Sequence, residues 1–184
     1  MKNSASPLTV ATLRALEEAG VTHVLGVPDN TSAPLFHALQ GNPRIRLVEV
    51  TREGEAFAVA SGLWLGGAVP LVVIQNTGFL ESGDALRGTA IRMGAPVPFV
   101  VTGRGYAKME AAGMGPDTPR TPELLTRPEL DSVAFITEPT LDAWGIPYGR
   151  CRPGDDPAAA LGRLVRETRS GNHPRALLLT AELA

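Results

Sequence analysis

A single open, doubly wound parallel sheet of the α/β class, with helices on both faces, is predicted by three features of the 184-residue sequence. Short apolar runs rich in β-branched residues alternate with segments of helical period. The runs are apolar throughout, a pattern that suits strands whose sheet is covered on both sides. The 20 Gly and 16 Pro fall between these runs and not in one tract, so they punctuate elements. With 43% hydrophobic residues the chain has enough apolar surface for a real core, and its length suits one domain over residues 1–184.

The elements follow in order. Ser6 and Pro7 provide an N-cap and a first helical position for a helix whose Val10, Leu13, Leu16 and Ala19 recur at helical spacing until Gly20. Val21 to Val27 reads as a strand closed by Pro28-Asp29-Asn30, and Asn30 or Thr31 is placed to cap a helix carrying Pro34, Leu35 and Leu39. The unit repeats with strand 45–50 and helix 52–65, with strand 70–75 and helix 80–92, and with strand 98–102. Residues 111–129 hold Pro116, Pro119, Pro122 and Pro128 among polar residues, which predicts a mobile surface loop. Order returns with helices near 140–144 and 156–169 and a last strand over 175–180.

Composition narrows the function classes. A net charge of −2 with scattered basic residues gives no nucleic-acid footprint. No apolar run reaches the length of a membrane span and the first seven residues are polar, so neither a membrane nor a secretory segment is expected, and a cytoplasmic location is. Three separated histidines and one cysteine form no metal-ligand spacing. Cys151 stands between Arg150 and Arg152, which would lower its pKa, although an incidental cysteine is the simpler reading. Gly103-Arg104-Gly105 lacks the third glycine of a dinucleotide fingerprint, and neither a P-loop nor a Gly-x-Ser-x-Gly elbow is present.

Ligands of an open parallel sheet bind at the carboxyl ends of its strands. Four polar or Gly-rich segments fall there: 26–31, 51–55, 75–78 and 102–106. The second precedes a helix that is apolar on nearly every face, which predicts that the helix is buried. Glu53 and Glu55 both enter its first turn, where the helix dipole favours a carboxylate. Two positions apart, they point about 200° away from each other. Glu53 shares its face with Phe57, Ala60 and Trp64, and a carboxyl group against that face is expected to have a raised pKa, as a proton-sharing acid requires.

Together, Gly26-Val27-Pro28-Asp29, Arg52-Glu53-Gly54-Glu55-Ala56 with Ala60-Ser61-Gly62, and Gln75-Asn76-Thr77-Gly78 resemble the pyrimidine-binding domain of thiamine diphosphate enzymes. The similarity is to the alpha subunit or N-terminal half of sulfopyruvate and phosphonopyruvate decarboxylases, over residues 7–180. It implies the thiamine diphosphate-binding fold of pyrimidine type, with Glu53 as the acid that hydrogen-bonds ring nitrogen N1′ of the cofactor. Val27, Pro28, Thr77, Gly78 and Phe79 are then candidates for the pyrimidine pocket, and Asn30, Gln75 and Arg104 for the substrate end. It implies thiamine diphosphate as cofactor, with Mg²⁺ bound by a diphosphate-binding beta-type partner subunit, because no Gly-Asp-Gly motif occurs here: Gly83-Asp84 is followed by Ala85, and Gly154-Asp155 by Asp156.

Self-association and a small anionic 2-oxoacid substrate, such as sulfopyruvate or 3-phosphonopyruvate, are further expectations. The chain departs from the family at two places. Thr102-Gly103-Arg104-Gly105 stands where pyruvate-type decarboxylases carry paired histidines, and Gly78-Phe79-Leu80-Glu81 where close relatives read Gly-Leu-Gly-Asn. A non-catalytic assembly subunit and a carboligase subunit are the alternatives.

Overall fold

The computed structural model describes residues 6–115 and 117–181; Pro116 and the polar segment 1–5 lie outside the described residues. The order is α1 (Pro7–Glu18), β1 (His23–Gly26), α2 (Ala33–Leu39), β2 (Arg46–Glu49), α3 (Glu53–Leu65), β3 (Pro70–Gln75), α4 (Asn76–Glu81) and α5 (Gly83–Leu86). A π-helical turn (Arg87–Ile91) follows, then β4 (Pro98–Thr102), α6 (Tyr106–Ala111), α7 (Pro122–Leu125), α8 (Val133–Ala143), β5 (Tyr148–Cys151), α9 (Pro157–Arg169) and β6 (Arg175–Leu179). The six strands form one sheet in the order β2-β1-β3-β4-β6-β5, and every pair is parallel.

Successive residues of the central strands serve opposite cores, which is why their sequences show no polar alternation. Val72 and Ile74 of β3 pack with Phe57, Phe79, Phe99 and Leu141 on one side of the sheet. Leu71 and Val73 pack with Leu16, Leu35, Leu39, Leu161 and Val165 on the other.

Several local expectations are corrected. Ser6 caps α1 by accepting from the Thr9 N–H, but the buried side of α1 is Thr9, Thr12 and Leu16, and Val10 is 55% exposed. The cap of α2 is Ser32, not Asn30 or Thr31, and its hydroxyl is turned back to Asp29 instead of to the helix. The helix after β3 begins at once with Asn76 and is divided into α4, α5 and the π turn, because Ser82 interrupts the regular ladder. Strand β5 is not expected from the sequence pattern, because Gly149 and Arg150 break its apolar run, and as the sheet edge it buries only Cys151 fully. Burial, reinforced by Asp155 and Asp156, pushes the Cys151 thiol up, opposite to the effect expected of the flanking arginines.

Helix α8 starts at Val133, well ahead of the helix expected near 140–144, and runs through Pro139. Proline lacks the N–H that would bond the carbonyl four residues earlier. That carbonyl belongs to Phe135, and it accepts instead from Arg120 Nε at 2.8 Å. The Pro-rich stretch thus supplies the donor that Pro139 removes. The described residues in the rest of this stretch have little regular structure beyond the single turn of α7, capped by the Thr121 hydroxyl.

Candidate functional site

The sheet order reverses at β1: β2 lies on one of its sides and β3 on the other, so the crevice between β1 and β3 is a topological switch point. Gly26, at the end of β1, is required by the close approach of the two strands. A Cβ there would lie 1.8 Å from the Val73 carbonyl oxygen.

Asp29 ties the rim together. Its Oδ1 accepts from the Ser32 N–H at 2.7 Å and from the Ser32 hydroxyl at 2.8 Å. Its Oδ2 accepts from the Thr102 hydroxyl at the end of β4 and from Gln75 Nε2 at 3.4 Å at the end of β3. Gln75 Oε1 in turn accepts from the Thr77 hydroxyl at 3.2 Å. Carboxyl ends that are adjacent in space but far apart in sequence are held by one carboxylate.

Beside this rim, β2 leads into α3. Its N-cap, Arg52, has extended backbone angles, so the chain turns sharply into the first turn. Glu55 closes that turn locally, accepting from the Thr51 N–H at 3.0 Å and from the Thr51 hydroxyl at 3.0 Å. These bonds hold its carboxyl below the usual range. Glu53 points elsewhere. It is half-buried and its carboxyl makes no hydrogen bond or ion pair among the described residues. It lies directly on α4: a Cβ at Gly78 would stand 2.3 Å from Glu53 Cγ and Oε1. The missing side chain of Gly78 is therefore the space that the Glu53 carboxyl occupies.

The other expected site residues fall as follows. Val27 is half-buried, and Pro28, Asn30 and Thr77 are exposed at the rim. Phe79 turns away from it into the core, its ring 6.1 Å from Phe99 and 5.5 Å from Trp144. Arg104 is exposed and its Nε pairs with Asp131 Oδ2 at 2.7 Å, while its backbone carbonyl accepts from Asn76 Nδ2 at 2.9 Å. Asn76 is fully buried, with Oδ1 lacking a hydrogen-bond partner.

Sequence reasoning singled out Glu53 but not Asp29, Asn76 or Glu81. All three stand in its motif segments, yet their partners come from other strands or helices. Among the described residues no group of three or more His, Cys, Asp or Glu could hold a metal ion, and no helix is long and apolar enough to cross a membrane.

The site suits thiamine diphosphate. A carboxyl group left without partners at a strand-to-helix turn, on a surface kept clear by glycine, is free to hydrogen-bond a ring nitrogen.

The chain is similar in sequence to proteins named as decarboxylases. A phosphonopyruvate decarboxylase of Streptomyces hygroscopicus is 33% identical over 189 residues, covering 86% of this chain and 45% of the relative. The alpha subunit of a sulfopyruvate decarboxylase from Methanococcus maripaludis is 28% identical over 120 residues, covering 65% of this chain and 72% of the relative. The chain thus spans about half the length or less of the phosphonopyruvate decarboxylases it matches.

Among solved structures, the fold matches a thiamine diphosphate-dependent 4-hydroxybenzoylformate decarboxylase of Rhodococcus jostii with a TM-score of 0.64 at 15% identity, over 95% of this chain and 30% of that one. It also matches a benzoylformate decarboxylase from Polynucleobacter necessarius with a TM-score of 0.60 at 20% identity, over 94% and 29%. The family model of the thiamine pyrophosphate enzyme N-terminal TPP binding domain matches residues 8–121. With the family model spanning more than half of the sequence, the chain belongs to the thiamine pyrophosphate enzymes as an N-terminal TPP binding domain.

Proposed function

We infer that this chain is the alpha-type part of a thiamine diphosphate-dependent 2-oxoacid decarboxylase whose substrate is small and strongly anionic, such as sulfopyruvate or 3-phosphonopyruvate. The observation that carries the reading is the unpartnered Glu53 carboxyl resting on Gly78. The activities for which these relatives are named support the substrate class. When bound, thiamine diphosphate supplies the electron sink for loss of CO₂.

The residues of this chain have narrower tasks. Glu53 holds and returns a proton at the pyrimidine ring nitrogen N1′. Backbone and side-chain groups of Val27, Pro28, Thr77 and Gly78 border the ring, and Phe79 backs this wall from the core. Asn30 and Gln75 face the substrate end. Arg104 offers a guanidinium to a sulfonate or phosphonate, which must displace or share it with Asp131.

A beta-type partner subunit holds the diphosphate and Mg²⁺ in this reading. Exposed Val59 and Leu65, on the helix that carries Glu53, support such a partner, because solvent-facing apolar residues on an otherwise apolar helix suit a covered surface. Self-association could cover the same face, and sedimentation of the chain with and without its partner separates the two.

The decisive experiment compares Glu53→Gln with Glu55→Gln in the assembled complex. Decarboxylation is expected to fall roughly 10²-fold or more for the first, the scale of lost general acid–base assistance, and to persist for the second. If both variants keep their activity, Glu53 is a helix-dipole acid and the catalytic reading fails.

A further inference from the structure

Helix α4 touches the first turn of α3 at two points three residues apart, and so on one of its own faces. Gly78 meets the Glu53 carboxyl, as described above. Glu81 meets the residues on either side of Glu53 in sequence. Its Oε1 accepts from Arg52 Nε at 3.0 Å and also from Arg52 Nη2, and its Oε2 accepts from the Gly54 N–H at 3.3 Å. The two elements are close at this joint: a Cβ on Gly54 would lie 3.3 Å from Ala85 Cβ and 3.8 Å from Ser82 Cα. Gly54 is therefore small because the end of α4 and the start of α5 lie against it.

This arrangement has a chemical consequence. Arg52 is the nearest cation to Glu53 in sequence, and an acid paired with a guanidinium holds its proton poorly. We propose that Glu81 is a positioning residue: by holding the Arg52 guanidinium and the Gly54 N–H together, it keeps the Glu53 carboxyl free of an ion pair and seated on Gly78. The role in catalysis rests on the reading of Glu53 given above; the clamp itself is a property of this chain. Charged groups on the elements packed around Glu53 are few. Among the described residues they are Arg52 and Glu55 on its own segment, Glu81 on α4, Asp84 on α5 held at 2.6 Å by Arg87 of the π turn, and His23 at the far end of β1. Strand β3 contributes none. The negative charge of Glu53 already reaches Arg52, adding to the larger effects of Glu81 and Glu55 in raising its pKa.

The test uses the full chain labelled with ¹³C-glutamate and a carbon-detected titration of the side-chain carboxyls, with Glu53 assigned from the signal lost in Glu53→Gln. In Glu81→Ala the freed Arg52 is expected to lower the Glu53 midpoint by about half a pH unit or more, the direction a nearby guanidinium imposes on a carboxyl. The double variant Glu81→Ala with Arg52→Gln is expected to return it to the wild-type value. An unchanged midpoint in Glu81→Ala overturns the proposal. So does a fall that persists in the double variant, since loss of the Glu81 charge alone then explains it. Should Glu81→Ala unfold, Glu81→Gln retains an acceptor for Gly54 while weakening the hold on Arg52, and must move the midpoint the same way by a smaller amount. Failure of this titration leaves the Glu53→Gln activity test untouched, and failure of that test leaves the clamp intact.

Discussion

At the scale of single residues, the site depends on one absent side chain. Gly78→Ala places a Cβ where Glu53 Cγ and Oε1 now lie, at 2.3 Å, a separation that real contacts do not show. The flexible carboxyl gives way before the backbone does. The variant is therefore expected to stay folded, with a thermal midpoint within a few degrees of wild type, while decarboxylation by the complex falls toward that of Glu53→Gln. An active Gly78→Ala variant would show that the seat is unimportant. Cys151 is a second residue whose behaviour follows from its surroundings. It is fully buried at the end of β5, and burial favours the neutral thiol, so thiolate forms only at higher pH than in a free cysteine. At pH 8 the native chain should react with iodoacetamide far more slowly than the unfolded chain. Equal rates would mean that β5 does not cover the thiol.

At the scale of elements, α8 and the Pro-rich stretch are joined by the bond from Arg120 Nε to the Phe135 carbonyl. Arg120→Ala removes that donor next to Pro139 and is expected to cost about 1 kcal/mol, because the charge-assisted bond of this exposed guanidinium is partly screened by water. Adding Pro139→Ala restores an N–H four residues after Phe135 and should recover part of the loss. Chemical denaturation of the two singles and the double measures this coupling, and simple additivity would refute it. Among the described residues between α6 and α8 there are few backbone hydrogen bonds beyond isolated turns, so amide exchange across 117–129 should be much faster than in β3 and β4. Comparable protection in both regions would contradict the expectation of a mobile loop.

At the same scale, Glu138 on α8 is 4% exposed and accepts from Arg150 and from the Tyr148 and Tyr106 hydroxyls at 3.1 and 3.4 Å. Burial and this carboxylate push the Tyr148 hydroxyl up to about 12. Glu138→Leu leaves the two tyrosines and Arg150 without their acceptor. It should cost roughly 2–3 kcal/mol, less than for a wholly buried pair because Arg150 keeps partial contact with water.

At the scale of the whole molecule, α3 combines two functions that pull its sequence in one direction. Its inner side, Ala56, Phe57 and Ala60, is core, and its outer side, Ala58, Val59, Gly62 and Leu65, faces solvent while remaining apolar. The expectation of a buried helix is therefore met on one side only. Under the proposed function, the isolated chain should bind thiamine diphosphate weakly or not at all, and affinity should appear when the beta-type subunit is added. Tight, Mg²⁺-dependent binding to the chain alone, measured by calorimetry, would remove the need for that partner.

The sequence by itself determined the parallel α/β class, the spans of β3 and β4 and the different directions of Glu53 and Glu55, because each rests on local information. An unbroken apolar run signals a strand covered on both sides, and the 3.6-residue turn separates two carboxylates in one helical turn. Tertiary structure alone decided what those residues meet. The edge strand β5 takes its place from pairing with β6, not from its own polar sequence. Helix α8 passes Pro139 because a distant arginine supplies the missing donor. Asp29 gathers the ends of three strands, and Glu81 reaches from α4 to the start of α3. These contacts join segments from 15 to 73 residues apart, and nothing in the local pattern of either segment encodes the partner; for Asp29, Gln75 and Thr102 it is the crossing of the chain between β1 and β3 that brings them to one rim.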